Sequence, residues 1–176
     1  MIFLITGTQA PFDRLVKCMD EIAPFLNGVE IIAQINQSKY KVKNMKSVAM
    51  LNPIDFNENF SRADLIVSHA GMGTIISALQ NNKPVIILPR SAALGEHRNE
   101  HQLATAKILE KLKYIHVIYD EKELEAKIFS FLKGELIPLH AIENSASSSL
   151  IGSIQEYLNI STTNDTHKPQ SAPEMN

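Results

Sequence analysis

Short, continuously apolar runs alternate along this chain with stretches whose apolar residues recur at helical period. The first run, residues 3–5, ends at Thr6-Gly7-Thr8, after which Phe12, Leu15, Val16, Met19 and Ile22 recur at helical spacing. This predicts a strand, a glycine turn and an amphipathic helix. Residues 29–34 predict a second strand, the Lys-rich 38–46 an exposed, mobile connection, and 48–51 a third strand. Asn52-Pro53 breaks the pattern, Asp55 predicts the cap of a short helix through Arg62, and 63–68 is a β-rich apolar run.

Helical spacing resumes from Thr74 to Gln80 and ends at Asn81-Asn82; 84–88 is an apolar strand closed by Pro89. A polar loop at 95–99 leads to a predicted helix at 100–111, a strand at 115–119 and a helix at 121–133. Strands that are apolar throughout have both faces covered. Their alternation with helices therefore predicts a single doubly wound parallel sheet of the Rossmann-like α/β class. Residues 145–158 predict one more helix, with Leu150, Ile151, Ile154 and Leu158 on one face. From Ser161 the chain is polar with Pro169 and Pro173, which predicts a disordered tail. The expected organisation is one ligand-binding domain over 1–160 and a tail over 161–176.

Composition narrows the function. With 176 residues, 44% hydrophobic and 20% charged, the chain matches one soluble globular domain. A net charge of -2 provides no general attraction to nucleic acid or an anionic membrane, so no nucleic-acid partner is expected and any anionic ligand must be caught locally. The one cysteine, Cys18, cannot form an internal disulfide; it reads as a small core residue in a reducing, cytoplasmic setting. The apolar N-terminus is too brief, and too poor in basic residues, for a signal peptide or a membrane span.

In doubly wound sheets ligands bind beyond the carboxyl ends of the strands, where helix N-termini offer unpaired N–H groups. The richest such loop here is Ser68-His69-Ala70-Gly71-Met72-Gly73-Thr74. Its two glycines permit close backbone approach, Thr74 offers a hydroxyl and His69 an imidazole N–H, together a plausible diphosphate cradle. Taken alone, a GxGT loop is more often a tight turn. It has neither the Gly-Lys-Ser/Thr of a nucleotide-triphosphate loop nor the third glycine of the dinucleotide fingerprint.

Two segments downstream of this loop add specificity: Lys83-Pro84-Val85-Ile86-Ile87-Leu88-Pro89-Arg90, then Gly95-Glu96-His97-Arg98-Asn99-Glu100-His101-Gln102-Leu103-Ala104-Thr105-Ala106. Together these segments resemble the donor-binding half of GT-B glycosyltransferases, most closely the C-terminal domain of glycosyltransferase family 28. They also resemble the small donor-binding subunits of two-part UDP-N-acetylglucosamine transferases and of capsule and exopolysaccharide transferases. The resemblance covers about residues 1–135. It implies that Gly7, Thr8 and Gln9 face a diphosphate, that His69, Gly71, Met72, Gly73 and Thr74 form the phosphate-binding loop, and that 52–56 lies at the uracil edge. Gln102, with His101 or Glu100 beside it, takes the position that holds sugar hydroxyls. Ser77 stands where the family often has a ribose-binding glutamate, and it is shorter and uncharged.

The implied reaction is inverting transfer from a UDP-sugar, with helix N-termini after Gly7 and Gly73 spreading the diphosphate charge. No Asp-x-Asp motif occurs, so no metal is expected and the nucleotide sugar is a substrate rather than a cofactor. Such transfer also needs an acceptor site and a base. The resemblance places both in a membrane-associated partner subunit that binds a lipid-linked acceptor and draws this chain to the inner face of the membrane, for surface polysaccharide synthesis. Three alternatives stand beside this reading. One is a non-catalytic subunit that binds a nucleotide sugar or stabilises a partner transferase. Another is a UDP-sugar epimerase, disfavoured by length. The third is a zinc hydrolase through His97 and His101, whose H-x-x-E-H spacing suits two ligands on one helix. Arg90 and Arg98 read equally as contacts to the diphosphate or the partner surface or as simply exposed, His116 as structural.

Overall fold

The computed structural model describes residues 1–137 and 139; the predicted helix at 145–158 and the polar tail lie outside these. Six parallel strands form one sheet: β1 (Ile2–Ile5), β2 (Ile31–Gln34), β3 (Lys46–Val48), β4 (Leu65–Ser68), β5 (Val85–Ile87) and β6 (His116–Val117). Their order is β3-β2-β1-β4-β5-β6. Helices α1 (Asp13–Ile22), α2 (Pro53–Arg62), α3 (Met72–Gln80), α4 (His101–Lys111) and α5 (Glu123–Leu132) make the crossovers, with a 3₁₀ turn at Ala23–Phe25 after α1.

Every residue of β1, β4 and β5 is buried, as the apolar runs predicted. Alternate residues of a strand face opposite ways, so two core layers result. Ile2 and Leu4 pack with Leu15, Met19, Leu124 and Ile128 under α1 and α5. Phe3 and Ile5 pack with Phe60, Ile75, Leu79 and Ala106 under α2, α3 and α4. In the second layer Phe3 meets Phe56 edge-on, with centroids 5.4 Å apart, and Phe56 stacks on Phe60 at 5.9 Å.

The edges depart from expectation. β3 lies at Lys46–Val48, upstream of the predicted 48–51, in register Ile32↔Lys46 and Gln34↔Val48. All three of its residues are exposed, so no hydrophobic pattern marks the strand and backbone pairing alone places it. α2 is capped by Asn52, whose Oδ1 accepts the Asp55 N–H at 2.9 Å, rather than by Asp55. Pro53 explains the shift, because its ring suits the first helical position and makes the preceding residue the cap.

The 38–46 connection is anchored rather than loose. Asp20, fully buried on α1, accepts the backbone N–H groups of Lys43 and Asn44 and the Tyr40 hydroxyl, and Asp13 accepts from Ser38 Oγ and the Lys39 N–H. Cys18 is half-buried against the first core layer. His116 Nε2 contacts the Ile137 carbonyl at 2.9 Å. No helix among the described residues is long and apolar enough to cross a membrane.

From β1 the chain passes to β2 on one side and, after β3, returns to β4 on the other. The order in which strands are added therefore reverses between β1 and β4, and the loops leaving those two parallel strands splay apart. That is where a doubly wound sheet opens a crevice.

Candidate functional site

A cleft of about 720 Å³ occupies this crevice. It gathers Gly7, Thr8 and Gln9 from the loop after β1, His69, Gly71, Met72, Gly73 and Thr74 from the loop after β4 and the start of α3, and His101 and Gln102 from α4. Gln34, Phe56, Arg90, Glu96, His97, Arg98 and Thr105 are also among its walls. Two of the anticipated residues stand elsewhere. Ser77 lies further along α3 and does not line the cleft. Glu100 turns away because its Oε1 accepts the N–H groups of Ala92 and Ala93 at 2.9 and 3.3 Å; beside Gln102 it is His101 that faces the cavity.

The floor is the start of α3. Gly71 is its N-cap, in extended conformation, and no side chain caps the helix. The first bond closing onto the cap is Ile75 N–H to Gly71 O, so the N–H groups of Met72, Gly73 and Thr74 are left for a ligand. An anion there meets three donors and the positive end of the helix dipole. The loop after β1 carries no comparable helix end. α1 starts only at Asp13, an acid in its first turn, so of the two helix N-termini expected after Gly7 and Gly73 only the second opens onto the cleft, while the start of α4 at His101 and Gln102 forms another part of its wall.

His69 joins the two glycine loops. A Cβ on Gly7 would approach the His69 ring to 2.6 Å, and one on Gly71 would run into the same ring. Ser68 Oγ donates to the Ile5 carbonyl at 2.8 Å and lies 3.3 Å from His69 Nδ1. With the hydroxyl hydrogen so engaged, Nδ1 carries the hydrogen in that contact. Burial, reinforced by the nearby Arg90 cation, pushes the imidazole pKa down to about 4. The ring is neutral near pH 7 and spaces the two glycine loops where they meet.

Residues 1–156 match the sequence model of the glycosyltransferase family 28 C-terminal domain. The chain belongs to this family. Among curated relatives, the UDP-N-acetylglucosamine transferase subunit ALG13 of Candida albicans is 35% identical over 86 residues, covering 49% of this chain and 28% of that protein. Its human namesake is 25% identical over 124 residues, 62% of this chain and 10% of that protein. The chain thus matches under a third of either. Solved structures agree in fold. The NMR structure of ALG13 aligns with a TM-score of 0.55 at 19% identity, over 87% of this chain and 93% of that one. The crystal structure of Acinetobacter baumannii MurG aligns at 0.62 and 19% identity, over 89% of this chain and 49% of that one.

What sequence reasoning missed in this family 28 domain is the strapping of the cleft. Arg90, only 3% exposed, donates to the carbonyls of Thr6, Ala10, Pro11 and Glu96 at 2.6–3.3 Å. Its guanidinium also lies 4.7 Å over the Phe12 ring. It ties the loop after β1 to the loop after β5. Outside it, Glu96 makes a two-pronged pair with Arg14, both bonds 2.8 Å, and accepts the Ser91 N–H at 2.9 Å. Gln102 Oε1 accepts the Arg90 N–H at 3.2 Å, which fixes its amide. The one sequence signal was an arginine just past the proline that closes a buried strand.

The zinc alternative loses its geometry. α4 begins at His101, so His97 lies in the preceding turn, where its Nδ1 contacts Asn99, and the two histidines do not share a helix face. Among the described residues no group of three His, Cys, Asp or Glu is placed to hold a metal.

Proposed function

We infer that this family 28 domain is the donor-binding subunit of an inverting, metal-independent glycosyltransferase that takes a UDP-sugar. The observation that carries this reading is the uncapped start of α3 facing the glycine turn at Gly7 across one cleft. Such a site suits a diphosphate, and developing leaving-group charge is stabilised there by fixed N–H dipoles without a cation. The loop Gly7-Thr8-Gln9 and residues 71–74 hold the diphosphate, His101 and Gln102 the sugar, and residues around Phe56 the base.

The cleft walls offer no carboxylate free to serve as base: Glu96, the one carboxylate among them, is engaged by Arg14 and the Ser91 N–H. In this reading a second subunit supplies the base and the acceptor site. Its acceptor is a lipid-linked saccharide at the cytoplasmic face of a membrane, in surface polysaccharide synthesis. The curated relatives are themselves named as subunits of a UDP-N-acetylglucosamine transferase, which supports a two-part enzyme.

The test is a thermal-shift and calorimetric panel of UDP-, GDP- and TDP-sugars, led by UDP-N-acetylglucosamine, with and without EDTA. A ligand that binds only the folded state raises Tm. The expected result is a Tm rise of several degrees with UDP-sugars that survives chelation. No binding, or binding that needs a divalent ion, overturns the reading.

A further inference from the structure

The cleft holds a second buried amide, Gln34, at the opposite side from Gln102. Gln34 ends β2, paired with Ile5. Its backbone carbonyl accepts both the N–H and the hydroxyl of Thr6, each at 3.1 Å. Its side chain is 3% exposed yet lines the cleft beside Ile5, Thr6 and Phe56.

The orientation of this amide is determined. Its Oε1 lies 3.0 Å from the Leu51 backbone nitrogen, and a backbone N–H can only donate, so oxygen and not nitrogen faces Leu51. The two Nε2 hydrogens then have no partner among the described residues. No fully buried side-chain nitrogen or oxygen among these residues is unsatisfied, so Nε2 keeps some accessible surface, and the cleft is the cavity that Gln34 lines. A nearly buried donor held by its own oxygen and left without an acceptor is disfavoured unless a ligand or water completes it.

We propose that Gln34 Nε2 donates to an acceptor oxygen on the nucleoside half of the bound nucleotide, a base carbonyl or a ribose hydroxyl. The inference rests on the function proposed above. The diphosphate position lies at Gly7 and the start of α3, over β1 and β4; a linear nucleotide sugar laid across it extends toward Gln102 on one side and Gln34 on the other. The Gln102 side is polar, with His101 and Thr105. The Gln34 side holds Phe56, whose partly buried ring suits a planar base. The two glutamines hold opposite ends of the ligand by one device: the oxygen is locked on a backbone N–H and the amino group presented to the cleft.

The experiment compares wild type with Gln34→Glu, which keeps an acceptor for the Leu51 N–H, removes the donor and adds repulsion toward acceptor oxygens. Kd is measured calorimetrically for UDP, 2′-deoxy-UDP and pyrophosphate. The expected result is a loss of about tenfold or more for UDP with a change below about threefold for pyrophosphate. A similar loss for 2′-deoxy-UDP assigns the contact to the base or the 3′ hydroxyl; loss of the effect there assigns it to the 2′ hydroxyl. Unchanged UDP affinity overturns the proposal, and so does an equal loss for UDP and pyrophosphate, which would put Gln34 at the phosphates. Should the variant fail to fold, the side-chain amide NMR signal of Gln34 in the wild type decides: it shifts with UDP but not with pyrophosphate, and an unmoved signal overturns the idea. A wild type that binds none of the three removes this proposal together with the function beneath it, whereas UDP binding indifferent to Gln34→Glu removes this proposal alone.

Discussion

The imidazole of His69 occupies the space a side chain at Gly7 would need: a Cβ there would stand 2.6 Å from His69 Cε1. Gly7 also has φ +81, a region that costs an L-residue about 1–2 kcal/mol. Strain and clash act together, so Gly7→Ala is expected to lose about 2 kcal/mol or more of folding stability. A shift in the urea midpoint measures it; an unshifted midpoint would show that the ring gives way freely.

His69 makes stability depend on pH. In the unfolded chain its imidazole titrates near its ordinary 6.5, while the folded ring resists protonation until about pH 4. The unfolded state therefore binds the extra proton between these values. The contribution is complete above pH 6.5, declines by up to about 1.4 kcal/mol per pH unit as pH falls, and levels off below pH 4. Urea midpoints from pH 7 to 4 should fall less steeply for His69→Gln than for wild type, and parallel curves would contradict the assignment.

Arg90 holds four carbonyls on two loops. Arg90→Ala is expected to cost about 3 kcal/mol, since the carbonyls lose a charged donor in a buried setting. Arg90→Lys should recover only part of this, because an ammonium cannot reproduce the planar fork. Chemical denaturation of both variants checks the order, and a lysine variant equal to wild type would show that charge alone matters.

Cys18 is predicted to be inert. Burial foremost, then the nearby Glu121 carboxylate, raises its pKa to about 12, and its Sγ donates to the Glu121 carbonyl at 3.1 Å. Since only the thiolate reacts, iodoacetamide at pH 7.5 should label it at least about 100-fold more slowly than an unperturbed thiol. Rapid labelling of the folded protein would refute this.

How much of this was legible depended on range and on burial. The central strands could be read because burial on both faces demands unbroken apolar runs, as in Leu65–Ser68 and Val85–Ile87. The exposed edge strand Lys46–Val48 could not, because nothing about its side chains is selected by a core. Likewise Gly7, Gly71, Gly73 and Gln102 were legible as members of short local motifs, and the structure brings them to one cleft. Asp20 passed unnoticed and Glu96 was given no role of its own, since a charge in sequence looks solvated until its partners are seen.

The amino-acid order by itself determined the alternation of buried strands and amphipathic helices, and with it the class of sheet and the loops where a ligand would sit, because these derive from local periodicity and turn chemistry. Only the tertiary structure decided that Arg90 clamps Thr6 from 84 positions away, that His69 is a neutral spacer, and that Gln34 presents a free amide to the cleft. Each depends on a crossover bringing distant backbone groups within hydrogen-bond reach, and on the burial that then sets charge and orientation.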